Sequence, residues 1–471
     1  MQSKQSNKIL LIILFLHFLG ILMLSSSYSP LKTDMIENLL WGRNLNFVNE
    51  KHPPFFGWES YLTVKLFGYN LFFYHILTPI HQTILFYFTF LLAKRILNSN
   101  IKALITVVLS QGILFHTFYY VFNANTANYG FFTAIYYFLY IALKDKNYKL
   151  FIPISILSAI VIMIKYSAVL LFTTIAITIL ATQEGRKALK SSFLYFGIFL
   201  FFVILSPYLL HLLGSEFGGD GFKYLYKQSL QNKMRWFEIP RFLLGPLIFS
   251  SPMLIAFFKI KKSFIKNSLN FNAAFLLINA IMPFLVTFII LIFMKAQIEF
   301  YWLSMFYSLI PICLLYFWEI KDDAFKVSAK IIYPIILVIW FLYILIQLIV
   351  PKENIKEIAQ FTQDVTKNNI DNFICNDSKK NCGFILIYGA KFDNKINYQP
   401  IKYYSKLDMN KALIIGEIDE LDLSNYNTKS FTKTILQYYP IKSFQVLEKK
   451  LNIKRKSSTI KLTIITKKSL S

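Results

Sequence analysis

Between Thr33 and Trp58 the chain sets Asp34, Glu37, Arg43, Glu50, Lys51 and His52 close behind a strongly apolar run. Ionisable side chains beside a bilayer can meet a lipid headgroup and a water-borne second substrate at once. Asp34 precedes Glu37 by three residues, which puts both carboxylates on one face of a helix. Trp41, a turn later, suits the headgroup level where amphipathic aromatics concentrate. Pro53-Pro54 cannot continue a helix and fixes an extended turn, holding Lys51 and His52 at a definite height above the membrane. The same residues also suit a juxtamembrane helix with a solvated charged face. From residue types alone both readings stand.

Other polar positions raise the same choice. Lys165 lies between two apolar runs, where a charge is costly and marks either a functional group or a lysine snorkelling at a helix end. Lys295 and Glu299 are four apart and suit an i,i+4 pair, or a cation and an acid facing a cavity. Residues 214–240 open with Gly218-Gly219-Asp220-Gly221 and continue as a basic-aromatic stretch. No strand precedes those glycines and no GK[ST] follows, which excludes a nucleotide P-loop. The segment is either a mobile outer loop closing over a site or a plain connector. The histidines (His17, His52, His75, His81, His116, His211) are scattered, and the first outer loop holds no D-x-D. Neither a metal nor a cofactor is expected.

The elements that must position these groups are membrane helices. The chain has 471 residues, is 55% hydrophobic and contains 48 Phe. That is more apolar surface than a soluble core buries, since single cores stop growing at roughly 250–300 residues. Apolar runs lie near 9–24, 71–93, 101–122, 127–143, 150–164, 167–182, 192–213, 241–258, 270–294, 301–318 and 329–350, about eleven candidate spans. With the N-terminus inside, every short loop assigned to the inner face is basic: Lys94/Arg95/Lys102, Lys144/Lys146/Lys149, Arg186/Lys187/Lys190, Lys259/Lys261/Lys262/Lys266 and Lys321/Lys326/Lys330. Much of the net charge of +25 is therefore a topology signal, and no nucleic-acid partner is needed to explain it. Residues 29–70, 214–240 and everything from Pro351 onward face outward.

From Pro351 the composition turns polar, with Lys and Arg outnumbering Asp and Glu by 21 to 12. A helix-like stretch at 353–369 and strand-like runs at Phe384–Tyr388, Lys411–Ile415 and Thr459–Thr466 predict a small α/β domain over 351–471, outside the membrane domain of 1–350. Cys375 and Cys382 are seven apart there; in an oxidising compartment they form a local disulfide, otherwise two thiols.

The pattern D-x-x-E-x-x-x-W-G followed by H-P-P-x-x-x-W, carried by Asp34, Glu37, Trp41, Gly42, His52, Pro53, Pro54 and Trp58, resembles the first outer loop of GT-C membrane glycosyltransferases. The branch it looks like holds the bacterial relatives of protein O-mannosyltransferases and of the lipid A aminoarabinose transferase. Lys165-Tyr166-Ser167-Ala168 is similar to the K-Y-[ST]-A step of that branch, and Lys295 through Glu299 to Trp302 to its K-x-x-x-E-x-x-W approach to a late helix. The resemblance covers residues 1–350.

It implies a polyprenyl (undecaprenyl) phosphate sugar as donor and a hydroxyl or phosphate acceptor on the outer, periplasmic face of a bacterial inner membrane, the acceptor being lipid A or lipopolysaccharide, another glycan or a protein. Asp34 stands at the position of the acceptor-side aspartate, with Glu37 beside it. A base there gives inversion; a carboxylate, being a weak base, alternatively orients the hydroxyl and stabilises charge developing on the sugar ring. Arg43, Lys51, His52, Lys165 and Lys295 are the candidates for the donor phosphate. Trp41, Trp58, Tyr166, Glu299 and Trp302 are the candidates for positioning substrate. The aminoarabinose branch has a lysine where this chain has His52, which leaves the sugar open. The rival is a transporter or flippase of a lipid-linked saccharide, which favours charges at mid-membrane and inverted repeats. No repeat is evident, and the protein is expected to act as a monomer.

Overall fold

The structure, a computed structural model, describes residues 3–27, 33–42, 45, 47, 52–68, 71–118, 121–214, 237–264, 270–293, 298–320 and 323–349, and the strands 372–376, 397–400, 411–416, 426–436 and 457–467. Helices in chain order are α1 (Ser3–Ser27), α2 (Thr33–Trp41), α3 (Phe55–Phe67), α4 (Leu71–His75), α5 (Leu77–Leu97), α6 (Asn100–Gln111), α7 (Leu114–Thr117) and α8 (Ala124–Lys144). They continue as α9 (Phe151–Ile164), α10 (Val169–Ala181), α11 (Gln183–Ala188), α12 (Ser192–Gly214), α13 (Glu238–Phe249), α14 (Ser251–Lys259), α15 (Phe271–Phe293), α16 (Ile310–Tyr316) and α17 (Ala324–Ile349). Each apolar run read from the sequence contains a helix. Among the described residues five helices are long and apolar enough to cross a bilayer, or six if α13 and α14, which meet at 55°, form one broken span. Pro252 at the start of α14 lacks the N–H that would continue the ladder there. The run at 301–318 begins as a 3-10 helix, Phe300–Leu309, before becoming α16.

The chain divides into two compact units. The first comprises residues 1–25, 45–59 and 71–341. Its core is aromatic: Phe115 stacks on Phe249 at 4.5 Å and meets Tyr307 at 5.4 Å. Polar groups inside it are matched across helices. His116 Nε2 lies 3.1 Å from the Ser304 carbonyl, and the Tyr129 hydroxyl donates to Ser304 Oγ at 3.0 Å. Such pairing is what a water-free interior demands of buried polar atoms. Gly20 lets α1 approach α17 closely, since a Cβ there would fall 1.9 Å from the Trp340 ring.

At the basic end of this unit residues 262–264 and 318–320, from two different connections, pair as strands. Strand β1 (Lys262–Phe264) pairs antiparallel with β2 (Trp318–Ile320), Ser263 opposite Glu319. Lys262 Nζ donates to the Phe257 carbonyl at 2.8 Å and lies over the Phe257 and Trp318 rings. The rings and helix end strip water from this amine and hold its pKa below the ordinary lysine value. Arg95 and Asp145 pair at 3.0 Å at the same end. Two loops that the charge pattern assigns to one face are thus in contact.

The second unit comprises residues 26–44, 60–70 and 342–471. It holds α2 and a five-stranded sheet of order β4-β3-β5-β7-β6. β3 (Asn372–Asn376) runs parallel to β4 (Asn397–Pro400) and β5 (Lys411–Gly416), while β7 (Ser457–Lys467) runs antiparallel to β5 and β6 (Tyr426–Leu436). The strands expected at Lys411–Ile415 and Thr459–Thr466 are β5 and β7. β3, β4 and β6 escape an apolar-run search because they read NFICN, NYQP and YNTKSFTKTIL. The helix expected at 353–369, the strand at Phe384–Tyr388 and the partner cysteine Cys382 lie outside the described residues.

Candidate active site

Asp34 and Glu37 do share a helix. α2 carries Asp34 in its first turn, where a carboxylate complements the helix dipole. Asp34 is half-buried, Glu37 is 6% exposed and Trp41 is buried. The helix closes with the Gly42 amide donating to the Asn38 carbonyl at 2.8 Å. Arg43, Lys51 and Lys295 lie outside the described residues.

In the first unit the H-P-P turn leads straight into α3, with the Trp58 amide donating to the Pro54 carbonyl at 3.1 Å. Both prolines are buried and His52 is half-buried, its ring edge-on to Phe56 at 5.9 Å. Trp58 packs edge-on against Phe47, which stacks on His211 at 4.6 Å. One residue on, Glu59 Oε1 lies 3.0 Å from His81 Nε2, and Phe122 and Phe131 close over that imidazole. This pair braces the helix that carries Trp58. Removing one partner of a buried hydrogen-bonded pair leaves the other unsatisfied at a cost of about 1–3 kcal/mol, more than replacing both with apolar groups. His81→Leu should therefore lower the thermal midpoint more than the double replacement Glu59→Leu/His81→Leu, as measured by fluorimetric unfolding in detergent.

Lys165 interrupts the apolar sequence between α9 and α10, and its backbone is extended there, with φ −155° and ψ 132°. A 3-10 turn, Tyr166–Ala168, then starts α10. The two flanking helices have 14 and 13 residues, about 20 Å each at roughly 1.5 Å per residue and short of a bilayer of about 30 Å. The Lys165 ammonium donates to Asn125 Oδ1 and lies 5.4 Å from the centre of the Trp302 ring. Asn125 is placed by the capping box of α8: Asn123 Oδ1 accepts from the Asn125 and Thr126 amides at 2.9 and 3.1 Å, and Thr126 Oγ1 accepts from the Asn123 amide at 2.9 Å. Tyr166 is half-buried, and its hydroxyl accepts from Tyr208 at 3.0 Å.

Glu299 precedes the 3-10 helix in extended backbone at φ −81°, ψ 125°. Its carboxylate is held by Arg241, Nη2 to Oε2 at 2.6 Å and Nη1 to Oε1 at 3.2 Å, and the guanidinium lies 5.9 Å from the Phe300 ring centre. The turn from Glu299 to Trp302 thus carries a cation against each of two aromatic rings, Arg241 on Phe300 and Lys165 on Trp302. Cations on an apolar aromatic rim suit a phosphate attached to a greasy tail. Sequence reasoning missed Arg241, although the argument applied to Lys165, a cation in apolar sequence, applies equally to EIPRFLLG. Among the described residues no group of three His, Cys, Asp or Glu side chains gathers as a metal site.

The apolar helices of the first unit make this a multi-pass membrane protein, and two comparisons support the resemblance read from the sequence, one over part of the chain and one in the fold. Residues 51–211 match the family described as dolichyl-phosphate-mannose-protein mannosyltransferase. The whole fold is similar to ArnT from Cupriavidus metallidurans bound to undecaprenyl phosphate, with TM-score 0.61 and 9% identity over 88% of this chain and 93% of that one. ArnT from the same organism in the apo state gives TM-score 0.62 and 10% identity over the same shares. No curated protein matches the chain by sequence.

Proposed function

We propose that the protein transfers a sugar from a polyprenyl phosphate donor to a hydroxyl or phosphate acceptor on the periplasmic face of a bacterial inner membrane. The acceptor classes are lipid A or lipopolysaccharide, another glycan, or a protein. The observation that carries the reading is the Lys165 ammonium, set at a helix break between Asn125 and Trp302 beside the Arg241-bearing turn. A cation held within a membrane domain is a candidate for binding an anionic ligand, and undecaprenyl phosphate is the lipid bound to the structurally similar ArnT.

In this reaction Asp34 takes the acceptor proton as the acceptor oxygen attacks the anomeric carbon, and Glu37 supports it on the same helix face. The new C–O bond forms opposite the breaking one, so the configuration inverts. The electron pair of the broken bond stays on the phosphate oxygen, where Lys165, with Arg43, Lys51, His52 and Lys295, offsets the charge. Trp41, Trp58, Tyr166, Glu299 and Trp302 position the two substrates. Residues 1–350 carry the reaction and 351–471 form the periplasmic α/β domain.

Detergent-solubilised protein should unfold at a higher temperature with undecaprenyl phosphate but not with undecaprenol, since only a ligand bound to the folded state shifts the midpoint. Mass spectrometry of lipid A, surface glycan and glycoproteins from a deletion strain should show the loss of one sugar. Equal response to both lipids together with an unchanged set of glycans would overturn the reading.

A further inference from the structure

One face of α13 grips a single dipeptide. Arg241, Gly245 and Phe249 are spaced four apart and line one side of that helix. The Arg241 guanidinium pairs with both oxygens of Glu299, at 2.6 and 3.2 Å, and lies 5.9 Å from the centre of the Phe300 ring. A turn on, a Cβ at Gly245 would fall 2.7 Å from that ring, so the glycine lets Phe300 press against the helix backbone. A further turn on, the Phe249 ring lies 5.6 Å from Phe300, which is 7% exposed.

What is gripped continues directly into the site. The Trp302 amide donates to the Glu299 carbonyl at 2.9 Å, closing the turn, and the Trp302 ring centre lies 5.4 Å from Lys165 Nζ. The place of the indole is therefore set from α13, through Glu299 and Phe300. The fork of Arg241 is occupied by a carboxylate, and the pair presents no net charge to an anion.

We infer that Arg241 is a positioning residue: it acts through Glu299 to hold the Glu299–Trp302 turn, and so the Trp302 indole, at the site of the lipid-linked phosphate. This rests on the phosphate-binding reading above. Two other roles give different results. If Arg241 met the phosphate directly, Glu299 would compete with the ligand, and neutralising it would strengthen binding. If the pair only stabilised the fold, its loss would lower the unfolding midpoint and leave affinity alone.

Undecaprenyl phosphate affinity, with the unfolding midpoint of the ligand-free protein as control, separates the three. Arg241→Gln and Glu299→Gln should each weaken binding about fivefold, within the range of a displaced cation–aromatic contact. The double variant should lose no more than either, because one pair serves one turn. The direction in Glu299→Gln decides most, since removing a negative charge beside a phosphate site tightens binding by Coulomb's law alone. Gly245→Ala, which alters no charge, should also weaken binding, by pushing Phe300 and the turn away from α13. Trp302→Leu should weaken it at least as much, and in that background the other changes should cost nothing further. Tighter binding in Glu299→Gln, wild-type affinity in both Gln variants, or losses that multiply with Trp302→Leu overturn the inference while the phosphate site stands. Failure of the wild-type protein to bind undecaprenyl phosphate removes the site itself, and the inference with it.

Discussion

Asp34→Asn should cut sugar transfer by a factor of about 10²–10⁴, the range over which a positioned acid or base acts, while the protein still inserts and folds. The substitution keeps the shape of the side chain and removes its charge. Its structural cost is confined to the helix dipole, on the order of 0.3–1 kcal/mol for a carboxylate in a first turn. Asp34 is half-buried and occupies that first turn of α2, whereas Glu37 is buried on the same face. Glu37→Gln should therefore show a smaller catalytic loss and a larger stability loss than Asp34→Asn. The measurement is turnover of undecaprenyl phosphate sugar in membranes holding equal amounts of each variant. Wild-type turnover in Asp34→Asn would remove this residue from the chemistry.

The second large effect is expected at Lys165. Lys165→Ala should weaken undecaprenyl phosphate binding by roughly 30- to 1000-fold, equivalent to about 2–4 kcal/mol for a charge contact out of bulk water. Lys165→Arg should recover only part of this. The ammonium is seated against Asn125 Oδ1 and the Trp302 ring, and a planar guanidinium fork presents different donor directions to the same acceptor. Titration followed by the unfolding midpoint reads both variants. An affinity within threefold of wild type in Lys165→Ala would mean that the lysine serves only to end α9.

How much of this was legible beforehand depends on the range of the interaction involved. Apolar runs mark the helices because each run is a local property, and the polar Lys165-Tyr166-Ser167 step correctly divides α9 from α10. The spacing of Asp34 and Glu37 specifies a shared helix face in the same local way. Arg241 and Glu299 are 58 positions apart, and Tyr166 and Tyr208 are 42 apart. Such pairs are created by packing, and no periodicity announces them. At Glu299 the fold supplies a distant guanidinium, Arg241, that the local spacing from Lys295 does not announce. The 55° break after α13 has a local cause visible in the sequence, Pro252 at the start of α14.

The short ribbon that joins Lys262–Phe264 to Trp318–Ile320 has a mechanical consequence. It fastens the chain between α14 and α15 to the chain between α16 and α17, as the spring of a clothes-peg fastens its arms. These helices can then splay most easily at the opposite tips, where Arg241, Glu299 and Trp302 lie. Under the proposed function, substrate is expected to enter and leave at those tips rather than past the ribbon.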